Sequence, residues 1–492
     1  MQHEEHDAVT HPSTDRSTDT SPDSWALHPD RALPAEPGVR ALAREIYTVT
    51  RGLPIVSMHG HVPVEWFAED SSFGDPAQLL VVPDHYLLRM LVSQGETLPR
   101  LGAGSTPDEP VETDPREIWR RFCAGWKHFR GTPTRYWLEH ELVEIFGVTQ
   151  RPSAETADAI YDQVAARIAE PGFRPRALLD SFGIEVIATT DAAWATLEDH
   201  ERLAKEGYGE RVLPTFRPDP VLHVDRPGWR DDVARLGAAA GIDVVDYATY
   251  LDAVRTQRAR FISAGALATD HGHLSADTTP LPDGEARRIL DAALRGTVGA
   301  DEAAAFSGHM LFQMAAMSAE DGLVMQLHPG VLRDHASGPA AAFGPDKGYD
   351  IPVVTEFTRS LRPLLDAFGH HPGFRMVAFT VDEDVYSREL APMAGVYPAL
   401  RLGAPWWFLD APEAMRRFRE AVTETAGFSN TSGFVDDTRA FCSIPARHDL
   451  ARRIDAGYLA RLVAEHRLDL DEAVDTATDL TYRLPLAAYA RA

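Results

Sequence analysis

The apolar run Ile55-Val56-Ser57-Met58 ends in His59-Gly60-His61. In a strand, residues i and i+2 point to one face, so both imidazoles can aim at the same point. Two neutral histidines on one side make half of a divalent metal site. The fragment alone fits equally well two polar histidines at a strand end, and a third ligand has to come from elsewhere. Asp437 stands in Asp436-Asp437-Thr438-Arg439, after the short apolar pair Phe434-Val435. Its carboxylate would complete a site of two histidines and one aspartate with open positions; capping a helix or pairing with Arg439 are its other uses. Arg217 and Arg439 each follow an apolar run. A guanidinium holds a carboxylate through two parallel hydrogen bonds, so two of them beside a metal suggest an anionic substrate. Ordinary ion pairing with Asp219 and Asp436 is the competing reading. His85 and Tyr86, in Asp84-His85-Tyr86, offer acid–base groups, although such a triplet is more often structural. His328, closing Gln326-Leu327-His328, is a metal ligand or a substrate contact. Trp406 and Trp407 offer flat aromatic faces for the apolar side of a sugar ring, or core packing.

The rest of the composition narrows the chemistry. A formal charge of −26 over 492 residues repels nucleic acid and anionic lipid, so neither a nucleic acid nor a membrane is an expected partner. An acidic chain that binds an anion needs arginines in its site. There are three lysines, Lys127, Lys205 and Lys347, and none follows a candidate strand. That argues against a lysine carbamate bridging two metals, hence for one divalent metal, and against Schiff-base chemistry. Cys123 and Cys442 are far apart and in no ligand spacing, no run of about 18 apolar residues occurs, and no basic-then-apolar leader is seen. A reduced, cytoplasmic protein is expected.

These residues need a frame that brings chain ends together. Short apolar runs recur, each ending in polar residues: Ile55–Met58, Ile184–Thr190, Val212–Phe216, Ala264–Thr269, Leu323–Leu327, Met376–Val381, Val396–Leu402 and the weak Phe434–Val435. Helix-like stretches such as Ala193–Glu206 and Pro412–Thr425 lie between most of them. Strands alternating with helices predict a parallel sheet, and eight units predict an α/β fold of the (β/α)8 TIM-barrel type. In such a barrel the active site lies just past the strands' C-terminal ends, and strand 8 lies beside strand 1, which would bring Asp437 to His59 and His61. A doubly wound open sheet is the alternative, without a Gly-rich dinucleotide fingerprint to support it. More than 100 residues separate the first two runs, and Ile118, Trp119, Phe122, Trp126 and Phe129 recur with helical period. A helical insertion at about 75–180 is therefore expected after strand 1, with a helical C-terminal tail from His448. Residues 1–25, rich in Ser, Thr, Asp, His and Pro, read as a disordered tail before a single domain over 26–492.

Taken in order, the fragments resemble the uronate (glucuronate/galacturonate) isomerases of the amidohydrolase superfamily. They are His59-Gly60-His61, Asp84-His85-Tyr86, Thr189-Thr190-Asp191, Phe216-Arg217-Pro218-Asp219, Asp270-His271-Gly272, Val324 to His328, Gly403 to Phe408, and Asp437-Thr438-Arg439 followed by Arg447-His448. The resemblance spans about Ile55 to Tyr489. It implies one metal, usually zinc, on His59, His61 and Asp437. It implies that Arg217 and Arg439 contact substrate oxygens or the carboxylate, and it makes His85 and Tyr86 better acid–base candidates; the residues themselves add Asp437 as a proton-handling group and His328 and Trp407 as substrate contacts. The implied reaction is an intramolecular oxidoreduction of a small sugar acid, D-glucuronate to D-fructuronate or D-galacturonate to D-tagaturonate, through an enediol. A metal-dependent hydrolase of a sugar lactone or amide is the alternative on the same scaffold. Barrel enzymes often assemble, so a homo-oligomer is compatible with the chain. The chain departs from the common pattern: Gly60-His61-Val62 replaces Cys-His-Leu, Leu87-Leu88 replaces Lys-Trp, and Asp436-Asp437-Thr438-Arg439 replaces Thr-Asp-Ser-Arg.

Overall fold

The computed structural model describes residues 24–491. Seven parallel strands form the frame. They are β1 (Ile55–Ser57), β2 (Ile184–Ala188, resuming at Asp191–Ala192), β3 (Val212–Leu213, resuming at Phe216–Arg217), β4 (Ala268–His271), β5 (Val324–Leu327), β6 (Met376–Ala378) and β7 (Leu400–Leu402). Each pairs with the next in chain order. The breaks within β2 and β3 do not part them: the Thr189 N–H donates to the Leu213 carbonyl at 2.9 Å and the Asp191 N–H to that of Thr215 at 3.0 Å. Helices follow the strands and cover the outer face, as parallel strands require. Trp229–Ala240, Tyr247–Ser263, Ala300–Asp321 and Pro412–Ala426 bury Trp229, Tyr250, Phe306 and Phe418 in the layer between helices and sheet.

Phe434–Val435, expected as the eighth strand, is not one. Among the described residues this stretch offers the sheet a single bridge, Thr431 to Leu402. Gly433 at φ 72° and Asp437 at φ 39° turn the backbone left-handed on either side of the pair, which an extended strand cannot accommodate. The seven strands alone leave the barrel open. The irregular segment nevertheless bonds to both edges: Ser432 N–H to the Leu402 carbonyl at 2.8 Å, Asp437 N–H to that of His59 at 3.1 Å, and His61 N–H to that of Thr438 at 2.9 Å. The architecture is a (β/α)8-type barrel whose eighth stave is a loop.

Between β1 and β2 the chain passes through a series of helices from Val64 to Ser181, whose core around Trp119, Phe122, Trp126 and Phe129 is continuous with Ile55 of β1 and Ile184 and Ile187 of β2. Nearly all of the tail expected over residues 1–25 lies outside the described residues. Trp25 is described, and it is buried, with its N–H on the Thr149 carbonyl and its indole edge-on to Trp126. The long helix Ile444–Ala464, first of the C-terminal helices, is buried on almost every side, and the helix Pro37–Thr50 packs along it.

Candidate active site and metal centre

His59 and His61 leave the end of β1 and meet Asp437 from the closing loop. The His59 Nε2 and His61 Nε2 atoms lie 3.1 and 3.0 Å from Asp437 Oδ1. Asp437 Oδ1 is buried yet has no well-directed hydrogen bond among the described residues. Nitrogen and oxygen ligands about 2.0–2.1 Å from a tetrahedral ion stand roughly 3.3 Å apart, close to the spacing seen here. The three residues therefore fit a divalent cation. The other carboxylate oxygen of Asp437 accepts a hydrogen bond from Trp406 Nε1, which fixes the carboxylate and leaves Oδ1 for the metal. Burial opposes charge on His59, but Asp270 and Asp437 outweigh it and lift the imidazole to about 9. That affinity for a proton marks a donor set that would exchange it for a cation. Burial opposes charge on Asp437 too, and His59 with His61 hold its carboxyl well below the usual range. Burial lowers His61.

Behind this trio, fully buried Asp270 on β4 joins three elements. His328 Nε2 lies 2.6 Å from its Oδ1, His59 Nδ1 lies 3.6 Å from the same oxygen, and Arg217 Nη1 lies 3.2 Å from Oδ2. His59, Asp270 and His328 form a second possible ligand set sharing His59. Arg217 also donates from Nε to Asp219 Oδ2 at 3.1 Å, so two carboxylates hold the guanidinium.

His85 and Tyr86 open the helix His85–Ser93. Asp84 caps it by accepting from the Tyr86 N–H at 2.8 Å. Their rings stack 4.5 Å apart, and His85 meets the edge of Trp407. Burial, with help from Arg439, pushes His85 down to about 3, so its imidazole is neutral at ordinary pH. Burial pushes the Tyr86 phenol far above its usual range, so it keeps its proton. His61, His85, Tyr86, Arg217, Asp437 and Arg439 all line one cleft. His328, Trp406 and Trp407 line it as well. Arg439 is partly exposed there, 3.5 Å from Asp346. Of the site residues singled out from sequence, His59 alone does not line this cleft; it is buried against Asp437 and Asp270.

Other residues of the cleft carry no local sequence pattern. Arg333 lies over the Trp407 ring at 4.7 Å and pairs with Asp350 at 2.9 Å, both in the excursion after β5 that carries a small antiparallel pair, Val331–Leu332 with Ile351–Pro352. Their only sequence signal was proximity to His328. Asp270 and Trp406 were visible as fragments, but their roles depend on partners far along the chain.

The family model described as glucuronate isomerase matches residues 39–487. A uronate isomerase of Rhizobium meliloti is 53% identical over 463 residues, covering 94% of this chain and 99% of the relative. A glucuronate isomerase structure from Caulobacter crescentus superposes with a TM-score of 0.92 at 48% identity, over 94% of this chain and 97% of that one. A uronate isomerase structure from Thermotoga maritima gives 0.88 at 26% identity, over 95% and 100% of the two chains. The chain belongs to the uronate isomerase family.

Proposed function

We propose that this chain interconverts an aldouronate and its ketouronate, taking D-glucuronate to D-fructuronate and D-galacturonate to D-tagaturonate, with one Zn2+ on His59, His61 and Asp437. The observation that carries the proposal is the convergence of these three ligand atoms beside Arg217 and Arg439 in one cleft. When bound, the cation supplies Lewis acidity toward carbonyl and hydroxyl oxygens. Arg217, immobilised by Asp219 and Asp270, and Arg439 at the rim hold the substrate's carboxylate and hydroxyl oxygens. Trp407 lines the cleft as a substrate contact. Isomerisation removes the proton on C2 and protonates the C1 carbonyl oxygen, giving an enediol. Protonating C1 and releasing the O2 proton then gives the ketose. His85, Tyr86 and Asp437 line the cleft and are the groups assigned to move these protons. The buried free thiols Cys123 and Cys442 suit a reducing, cytoplasmic setting. No helix among the described residues is long and apolar enough to cross a membrane.

The test is a coupled assay of zinc-loaded protein on both sugars, following NADH-dependent reduction of the keto product, beside His59→Ala. Turnover that vanishes in the variant is expected. Absence of turnover on either sugar, with metal bound, would overturn the reading and return the lactone or amide hydrolase to first place.

A further inference from the structure

The sequence contains a second His-Gly-His, His271-Gly272-His273, at the end of β4. The two motifs differ in what their glycines do. A Cβ built on Gly60 would meet nothing nearer than 3.5 Å, so that position tolerates a side chain. A Cβ on Gly272 would lie 2.7 Å from His328 Cε1, 3.0 Å from Arg217 Nη2 and 3.2 Å from Asp219 Oδ2. Gly272 is thus the thin wall between the active-site cleft and whatever lies behind it.

Behind it, one ligand atom from each of Asp219, His271 and His273 lies within 4.8 Å of the other two. All three residues are more than nine-tenths buried. Each has one polar atom engaged in an orienting bond. His271 Nε2 shares a hydrogen bond with Thr269 Oγ1 at 2.9 Å, His273 Nδ1 with Ser307 Oγ at 2.8 Å, and Asp219 Oδ2 accepts from the Gly272 N–H at 2.9 Å and from Arg217 Nε. Each has its other polar atom, His271 Nδ1, His273 Nε2 and Asp219 Oδ1, buried without a partner among the described residues. His273 Nε2 and Asp219 Oδ1 are 3.8 Å apart. A ligand atom left free while the opposite atom of the same side chain is tethered is the arrangement that metal-binding histidines and carboxylates show. We infer that Asp219, His271 and His273 form a second, separate site for a divalent transition metal, with two imidazole nitrogens and one carboxylate oxygen as donors. The donor type suits zinc or its neighbours in the first transition row. Burial keeps both imidazoles in the neutral form that ligates. Burial opposes charge on Asp219, but the Arg217 guanidinium bonded to it keeps the carboxylate ionised. A cation there would anchor Asp219, which in turn positions Arg217 at the first site.

A water molecule with the same three partners is the physical competitor. The two are told apart by loading the metal-free full chain with Zn2+ alone, removing loose ions, and counting zinc by mass spectrometry. About two equivalents are expected for the wild type, and about one for each of His273→Ala, His271→Gln and His59→Ala. Anomalous diffraction at the zinc edge from wild-type crystals should show a peak between Asp219, His271 and His273. Should the variants fail to fold, that map alone decides. A single equivalent in the wild type, or density there without anomalous signal, would assign the position to water and overturn the site.

Discussion

At the scale of single residues, the site is a set of charges whose freedom has been removed. Arg217 is clamped by two carboxylates, whereas among the described residues Arg439 pairs only with Asp346, at 3.5 Å, and remains partly exposed. Arg439 is therefore the cation free to reorganise around an anionic substrate, and its Asp346 contact is weak enough to be exchanged for a carboxylate. Arg439→Met should lower kcat/KM for a uronate by roughly 100-fold or more, the scale of losing one charge-stabilising donor, while zinc content stays at the wild-type level. Wild-type turnover in the variant would remove Arg439 from the site. Trp406 makes a complementary case. Its indole N–H holds the second oxygen of Asp437, so Trp406→Phe keeps the aromatic wall but frees the carboxylate to rotate. Zinc affinity should fall about 10-fold or more, read by competition with a chelating dye. Unchanged affinity would show that His59, His61 and the backbone of Asp437 suffice. Residues were legible in the sequence where spacing alone fixes direction. His59 and His61 converge because i and i+2 share a face. Arg333 was not legible, because its place is set by a stack on Trp407 and a pair with Asp350, neither of which leaves a local pattern.

At the scale of elements, the strands were readable because buried parallel strands are short apolar runs, and polar residues begin where each run emerges from the sheet. The eighth was misread for the same reason: Phe434 and Val435 are apolar and buried, but they belong to a loop whose backbone turns left-handed at Gly433 and Asp437. Burial, not pairing, chose those two residues. The loop still delivers Asp437 to β1, because its backbone bonds on both sides do the work of a strand. Gly272 shows how tightly β4 is fitted between its neighbours. Its φ is not in the left-handed region, so an alanine there is opposed by space alone. His328 cannot retreat from the new Cβ, being held by Asp270 and packed 4.7 Å from Trp406, and Arg217 is held by two carboxylates. Gly272→Ala should leave the circular dichroism spectrum unchanged yet reduce kcat/KM by about 10- to 100-fold, since displacements near 1 Å at a reacting site have effects of that order. Activity within twofold of wild type would show that the wall yields.

At the scale of the whole molecule, the helical insertion and the C-terminal helix are fastened to each other beside the cleft. Arg447, fully buried, lies 3.6 Å from the centre of the Trp137 ring and pairs with Asp410, while Asp449 two residues on binds Arg31, Tyr47 and Arg453. The sequence showed both helical regions but not this junction, which joins residues some 300 positions apart. Glu141, buried at the start of the π-helical turn Glu141–Ile145, belongs to the same junction and carries a cost. Burial, reinforced by Asp84 and only partly offset by Arg447, raises its carboxyl to about 8. A carboxyl whose folded value lies above its unfolded value stabilises the fold when protonated, fully below the unfolded value near 4.5, and loses that contribution as pH rises through about 8. The wild type therefore forfeits stability across this window, and a side chain that cannot ionise does not. Glu141→Gln should match the wild type in melting temperature near pH 5 and exceed it increasingly toward pH 8.5, reflecting a stability difference on the order of a few kcal/mol at most. Because so large a chain can unfold irreversibly, both proteins should be scanned at one rate at every pH. A difference in melting temperature that stays constant from pH 5 to 8.5 would mean that Glu141 is ionised throughout, with Arg447 as a stronger partner than its burial allows.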